Sequence, residues 1–138
     1  SLIEFNLQNI HPNESGEIGL AIGFSRPVRE TQLPEGLQQN TLFIEPNKRN
    51  ERNMIMNSDN LQRITQDIQH IIDELSSKDN CKNIHLFLSV QASLAFEIGR
   101  KYQDGVHKNW IIHNFNSDKG IYDWALKLSK SEIKLITY

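Results

Sequence analysis

The chain has 138 residues, 38% of them apolar, which is enough for one domain with a core of its own. Its 15 basic and 17 acidic side chains give a net charge of −2, so a global positive field that would hold duplex DNA or a membrane surface is excluded. Cys81 is the only cysteine, which excludes an internal disulfide and a cysteine-based zinc cage and favours a reducing, cytoplasmic location.

The first half of the chain predicts two strands separated by a short helix. After an apolar start at residues 1–3 that looks like a strand, residues 17–24 (EIGLAIGF) alternate between large apolar and small side chains, as in a strand. The small face carries Gly19, Ala21 and Gly23, so another element can pack very close to it. The segment that follows predicts a short helix beginning at Pro27 and ending near Pro34. A second strand, TLFIEP, covers residues 41–46, and a polar, basic loop covers residues 46–57.

The second half predicts an alternation of helices and strands. Apolar residues from Leu61 to Leu75 recur at helical spacing after a Ser58–Asp59 start. Residues 83–90 form a continuous apolar run typical of a strand buried on both faces, and a helix over 91–103 and a strand over 109–115 follow. We see no apolar run of the roughly 18 residues that a membrane span needs. The pattern predicts an α/β, Rossmann-like layered fold with a mainly parallel central sheet, flanking helices and right-handed crossovers.

In such a fold, ligands bind beyond the carboxyl ends of the strands. Side chains that follow the four predicted strands are mostly cationic or neutral hydrogen-bond donors, which suits an anion. They are Ser25, Arg26 and Arg29 after the first strand, Asn47, Lys48, Arg49 and Arg52 after the second, Ser89, Val90, Gln91, Ala92 and Ser93 after the third, and His113, Asn114 and Asn116 after the fourth.

Two interpretations of the residues that follow the third predicted strand, 89–93, remain open. The start of the 91–103 helix offers backbone amides and a positive dipole end to a phosphate, with Ser89, Gln91 and Ser93 beside it. Alternatively, Ser89 or Gln91 merely caps that helix. Among the cations, we expect Arg26 to face a pocket and Arg29 to face solvent. The basic loop around Lys48 is most simply mobile, although it could close over an anion.

Catalytic patterns are absent from the sequence. The five histidines show no metal-binding spacing such as H-x-x-x-H, and the sequence has no G-x-S-x-G motif, P-loop or G-x-G-x-x-G motif. His85 lies in an apolar strand and is expected to be a core or edge histidine. We therefore expect no catalytic residue and no metal ion.

The segments GEIGLAIGFSRPV (16–28), IHLFLSVQASLAFEIGR (84–100) and IYDWALKL (121–128) resemble the SAVED domain family, which is related to CARF domains. The resemblance covers about Gly16 to Leu128. It implies a sensor of cyclic oligonucleotides from the bacterial anti-phage systems CBASS and type III CRISPR. It also implies a basic pocket for a cyclic tri- or tetranucleotide, no other cofactor, and binding that drives oligomerisation and activates a nuclease, TIR, protease or other effector.

The chain departs from that family in two ways. Residues 1–138 have room for about one of the family's two CARF-like halves, expected to be the C-terminal one, so self-association or a partner chain or effector domain is expected. Where many relatives begin the helix with Pro-Ala, this chain has Gln91-Ala92, and Gln91 can bond a base or a phosphate. Two rival functions are a ring nuclease or nucleotide hydrolase assisted by His113 or Ser89, and an interaction module without a ligand.

Overall fold

The computed structural model describes residues 3–4, 9–46, 58–103, 107–129 and 132–137, and these residues form a seven-stranded sheet with two α-helices. The strands are β1 (Ile3–Glu4), β2 (Glu17–Gly23), β3 (Thr41–Pro46), β4 (Asn83–Ser89), β5 (Asn109–Asn116), β6 (Ile121–Ser129) and β7 (Glu132–Thr137). The helices are α1 (Ser58–Ser76) and α2 (Ala92–Arg100). Neither described helix is long and apolar enough to cross a membrane.

The order of strands across the sheet is β1-β3-β2-β4-β5-β6-β7. The four central strands, β3, β2, β4 and β5, run parallel, whereas β1, β6 and β7 pair antiparallel to their neighbours. The predicted α/β fold is confirmed, but a parallel arrangement holds for the centre of the sheet alone. The turn after β5 is too short for a crossover, so the chain reverses there into a hairpin, with Gly120 at φ +70°.

The predicted helix from Pro27 is wrong. In its place are two short 3₁₀ turns, Glu30–Gln32 and Glu35–Leu37. Arg29 has extended backbone angles, and Leu33 is also extended because the residue before a proline avoids helical angles. Three residues remain between them, which is too few for an α-helical turn.

The two faces of the sheet are covered by different parts of the chain. Both helices contribute to one apolar cluster with Leu20, Leu86 and Trp110. On the other face, Val28, Leu33 and Leu37 from the 3₁₀ segment form a second cluster with small and aromatic strand residues. This division fits right-handed crossovers, because the chain moves across the sheet in one direction from β2 to β3 and in the other from β3 to β4 and β5.

Gly23 permits the chain to fold back tightly at the end of β2. A Cβ atom at this position would lie 2.8 Å from the carbonyl oxygen of Arg26 and 2.9 Å from the amide nitrogen of Val28. The expectation that the small face of this strand admits a close neighbour is thus confirmed. The turn after β2 consequently lies directly on the sheet.

Leu86 should be a strong determinant of stability. Its side chain is 0% exposed in the centre of the first cluster, so Leu86→Ala should open a cavity and lower the free energy of unfolding by about 2–5 kcal/mol. Leu135→Ala is the matched control, because that side chain is 60% exposed on β7 and its loss should cost much less. Urea denaturation of both variants measures the difference. Equal losses would contradict the assigned core.

Candidate functional site

A pocket of about 620 Å³ opens where β2, β4 and β5 end. Its position matches the topological switch point, because the chain leaves β2 toward β3 and returns to the opposite side of β2 as β4. The lining residues come from the turns and strand ends at this edge of the sheet. They are Ser25, Arg26, Pro27, Arg29, Gln32, Leu88, Ser89, Val90, Phe115, Ser117 and Tyr122.

Ser89 connects the two sides of the pocket. Its carbonyl oxygen accepts hydrogen bonds from the amides of Phe24 (2.9 Å) and Ser25 (2.8 Å), and its Oγ accepts one from the amide of Arg26 (3.1 Å). The turn after β2 is therefore attached to the end of β4 through backbone donors. As a result, the position of Arg26 does not depend on its own side chain.

Two exposed arginines give the pocket its charge. No carboxylate among the described residues forms an ion pair with Arg26 or Arg29. Arg26 was expected to face a pocket and Arg29 to face solvent, but both line the pocket. The remaining ionisable group in the described lining is the Tyr122 phenol, and burial raises its pKa to about 12. A phenol with so high a pKa stays protonated at neutral pH, so the lining suits binding of an anion better than acid–base chemistry.

The start of α2 directly follows the pocket residue Val90. Gln91 is the N-cap residue, with φ −61° and ψ 148°, and its side chain makes no capping hydrogen bond. Because Ser89 Oγ bonds to the amide of Arg26, neither side chain acts as the simple cap that the second interpretation required. Gln91, Ala92 and Ser93 are exposed just beyond the lining.

His113 and Asn114 do not line the pocket. His113 is 5% exposed within the sheet, where its Nε2 lies 2.8 Å from His85 Nδ1 and its ring stacks on Phe87 at 4.2 Å between centroids. Strand β5 extends three residues past His113, so this side chain is inside the strand and not at its end. Asn114 is exposed and its amide donates to the carbonyl oxygen of Phe115 (3.3 Å).

The two buried imidazoles, His85 and His113, lie next to the carboxylate of Glu17. His85 is buried, as expected, and its Nε2 lies 3.3 Å from Glu17 Oε1. Burial alone would raise the pKa of Glu17, but His85 and a 2.6 Å hydrogen bond from Asn83 outweigh it and lower that pKa. Burial, reinforced by His85, lowers the pKa of His113 to about 3. The His113 ring is therefore neutral at pH 7.

The predicted basic loop, with Asn47, Lys48, Arg49 and Arg52, lies outside the described residues. Within the described residues, no group of three or more histidine, cysteine, aspartate or glutamate side chains could hold a metal ion.

Several pocket residues were not predicted from the sequence. Phe115 and Tyr122 lie opposite each other across the β5–β6 hairpin, and Gln32 and Ser117 come from turns. The turn residues of NSDKG, between two segments rich in aromatic and β-branched residues, signal this hairpin and would have brought the two aromatic rings together.

The family model of SAVED, described as "SMODS-associated and fused to various effectors sensor domain", matches residues 2–128. The chain belongs to the SAVED family. No curated protein matches the chain.

Solved structures of a receptor from Acinetobacter baumannii share the fold of this SAVED chain. The Cap4 SAVED/CARF-domain containing receptor with the cyclic trinucleotide 2′3′3′-cAAA aligns over 88% of this chain and 26% of that chain, with a TM-score of 0.70 and 15% identity. The same receptor with 3′3′3′-cAAA aligns over 86% and 26%, with a TM-score of 0.68 and 16% identity. The chain thus spans about a quarter of the length of these receptors.

The buried imidazole pair should make stability depend on pH. His113 has a pKa of about 3 when folded and about 6.5 when unfolded, so the unfolded state binds more protons between those values. The stability that depends on a neutral His113 ring is fully present above the unfolded pKa of 6.5 and is lost as the pH falls toward the folded pKa of about 3. The free energy of unfolding should drop by about 2 kcal/mol from about pH 7 to about pH 5 through this group alone.

His113→Gln should reduce that drop, whereas His70→Gln, at an exposed position on α1, should leave it unchanged. Urea denaturation at several pH values measures the slopes. If the His113 variant keeps the slope of the original chain, another group causes it.

Proposed function

We propose that this SAVED domain binds a cyclic oligonucleotide second messenger, a cyclic tri- or tetranucleotide, and passes the signal to an effector in bacterial anti-phage defence. The observation that carries the proposal is the pocket at the switch point of a SAVED-family sheet, with two arginines that pair with no carboxylate of the described residues. Arginine forks bind phosphate oxygens with two parallel hydrogen bonds, and the exposed lining residues Ser25 and Ser117 add donors. The Cap4 receptor structures with cyclic trinucleotides support the same ligand class.

The ligand's charge leads us to propose that this chain does not enclose it alone. A cyclic trinucleotide carries three phosphates, and Arg26 and Arg29 neutralise two charges. The amides at the start of α2 can hold the third, and further cations can come from a second copy or from another part of a longer receptor. A ligand that contacts two protomers stabilises their association by its differential affinity for the joined state. Binding coupled to assembly is the expected mode of signalling to an effector on another domain or chain.

A thermal-shift screen against cyclic di-, tri- and tetranucleotides tests the proposal. A ligand at about 100 times its Kd adds roughly 2.7 kcal/mol to native stability, which is readily measured. Recovery of the nucleotide intact after incubation distinguishes a sensor from the rival hydrolase. A chain stabilised by none of the nucleotides would contradict the proposal and favour the interaction module.

Arg26→Ala should weaken binding by about 1.5–3 kcal/mol, or roughly 10- to 150-fold in Kd, because it removes a charged donor from the pocket. The fold should be unaffected, since Ser89 holds the backbone of residue 26 and not its side chain. Arg63→Ala, an exposed arginine on α1 away from the pocket, is the matched control. Titration calorimetry gives both affinities. Equal affinities would remove Arg26 from the site.

Gln91→Glu tests whether the start of α2 contacts the anion. A carboxylate at the N-cap favours the helix dipole, so the protein should stay folded or gain slightly in stability. Near a bound phosphate the same charge is repulsive, and binding should fall at least tenfold. Gln62→Glu on α1 adds an equal charge at an exposed position away from the pocket and should bind normally. Unchanged affinity of the Gln91 variant would show that this end of the helix makes no contact.

A further inference from the structure

Phe115 is an exposed aromatic ring inside a cationic pocket. It is 39% exposed near the carboxyl end of β5 and shares the lining with Arg26 and Arg29. The β5–β6 register shifts between Asn114 and Phe115, so that no residue of β5 lies opposite Asp123 and Phe115 lies opposite Tyr122. Bulges of this kind redirect side chains beside functional sites.

A column of rings supports Phe115 from within the sheet. Tyr122 meets Phe115 edge to face, with centroids 5.1 Å apart and planes at 62°. Tyr122, 3% exposed, meets Phe87 in the same way at 5.2 Å and 80°, and Phe87 stacks on His113. Each contact restricts the next ring, so Phe115 is held in place before a ligand arrives. Phe115 nevertheless stays 39% exposed, so part of its ring surface is accessible to a flat ligand.

We propose that Phe115 is the stacking platform for one purine base of the ligand. The inference rests on the proposed function and deepens it by assigning a base contact beside the phosphate contacts. A nucleotide has a flat apolar base next to an anionic phosphate, and the pocket places a flat apolar ring next to two guanidinium groups. A purine has the larger aromatic surface, so it gains more from this platform than a pyrimidine.

The test compares two probes, cyclic triadenylate and cyclic triuridylate, on the full chain and three variants. Phe115→Leu keeps an apolar side chain but removes the aromatic face, and Phe115→Tyr restores that face. Phe96→Leu is the control, because Phe96 is 67% exposed on α2 and does not line the pocket. Titration calorimetry measures affinity, and thermal melting shows that each variant is folded.

The Phe115→Leu variant should bind cyclic triadenylate about 5- to 150-fold more weakly, the range for loss of one base–aromatic stack, and should lose less affinity for cyclic triuridylate. The Phe115→Tyr and Phe96→Leu variants should bind as the original chain does. Unchanged binding by the Phe115→Leu variant, or equal losses for both probes, would overturn the purine platform and leave the proposed function intact. An original chain that binds cyclic triuridylate but not cyclic triadenylate would also overturn the purine platform alone, whereas a chain that binds no cyclic nucleotide at all would overturn both proposals.

Discussion

Three hydrogen bonds from the amides of residues 24–26 to Ser89 hold together the part of the molecule in which the pocket forms. The chain leaves β2 in one direction across the sheet and returns on the other side as β4, so nothing covalent joins these strand ends locally. Ser89 makes that connection, and the missing side chain of Gly23 allows the turn to lie close enough for it. Because backbone amides form the contacts with Ser89, the side chains of the turn remain available to contact a ligand.

The sheet face opposite the helices has an unusual composition for a protein interior. It carries the Glu17–His85–His113 series, and the same face continues through Phe87 and Tyr122 to Phe115 at the pocket. Burial keeps His113 neutral, and stacking on Phe87 fixes its ring. The histidine expected to contact the ligand therefore supports an aromatic column behind the pocket, and a well-packed support of this kind preorganises the residues in front of it.

A sensor needs a ligand site and a way to transmit occupancy, and in the proposed function this chain contributes the ligand site. Its pocket is open, lies at one edge of the sheet and combines charge, hydrogen-bond donors and an aromatic ring. The chain covers about a quarter of the length of the Cap4 receptors whose fold it shares. In the proposed function, a ligand held between this edge and another surface binds the joined state more tightly than the separate surfaces. This difference in affinity stabilises the contact and so transmits the signal.

The sequence by itself determined the elements whose patterns are local. The 3.6-residue period of α1, the alternation in β2, the buried run of β4 and the proline that ends β3 each reflect burial or backbone geometry within one element. From those elements, the rule that ligands bind beyond the carboxyl ends of strands also led to Arg26 and Ser89, since it needs only the positions at which the strands end. The resemblance to the SAVED family followed from the same segments and is confirmed by the family match.

The tertiary structure alone decided which side chains share the pocket. His113 was assigned to a strand end, but β5 continues beyond it, and pairing with β4 and β6 buries its ring. The 3₁₀ turns that place Arg29 and Gln32 in the lining depend on extended angles at residues 29 and 33. Phe115 and Tyr122 meet through an inter-strand register with a bulge, and register is a relation between strands. A periodic pattern within one segment reports burial but carries no information on which residue of another strand lies opposite.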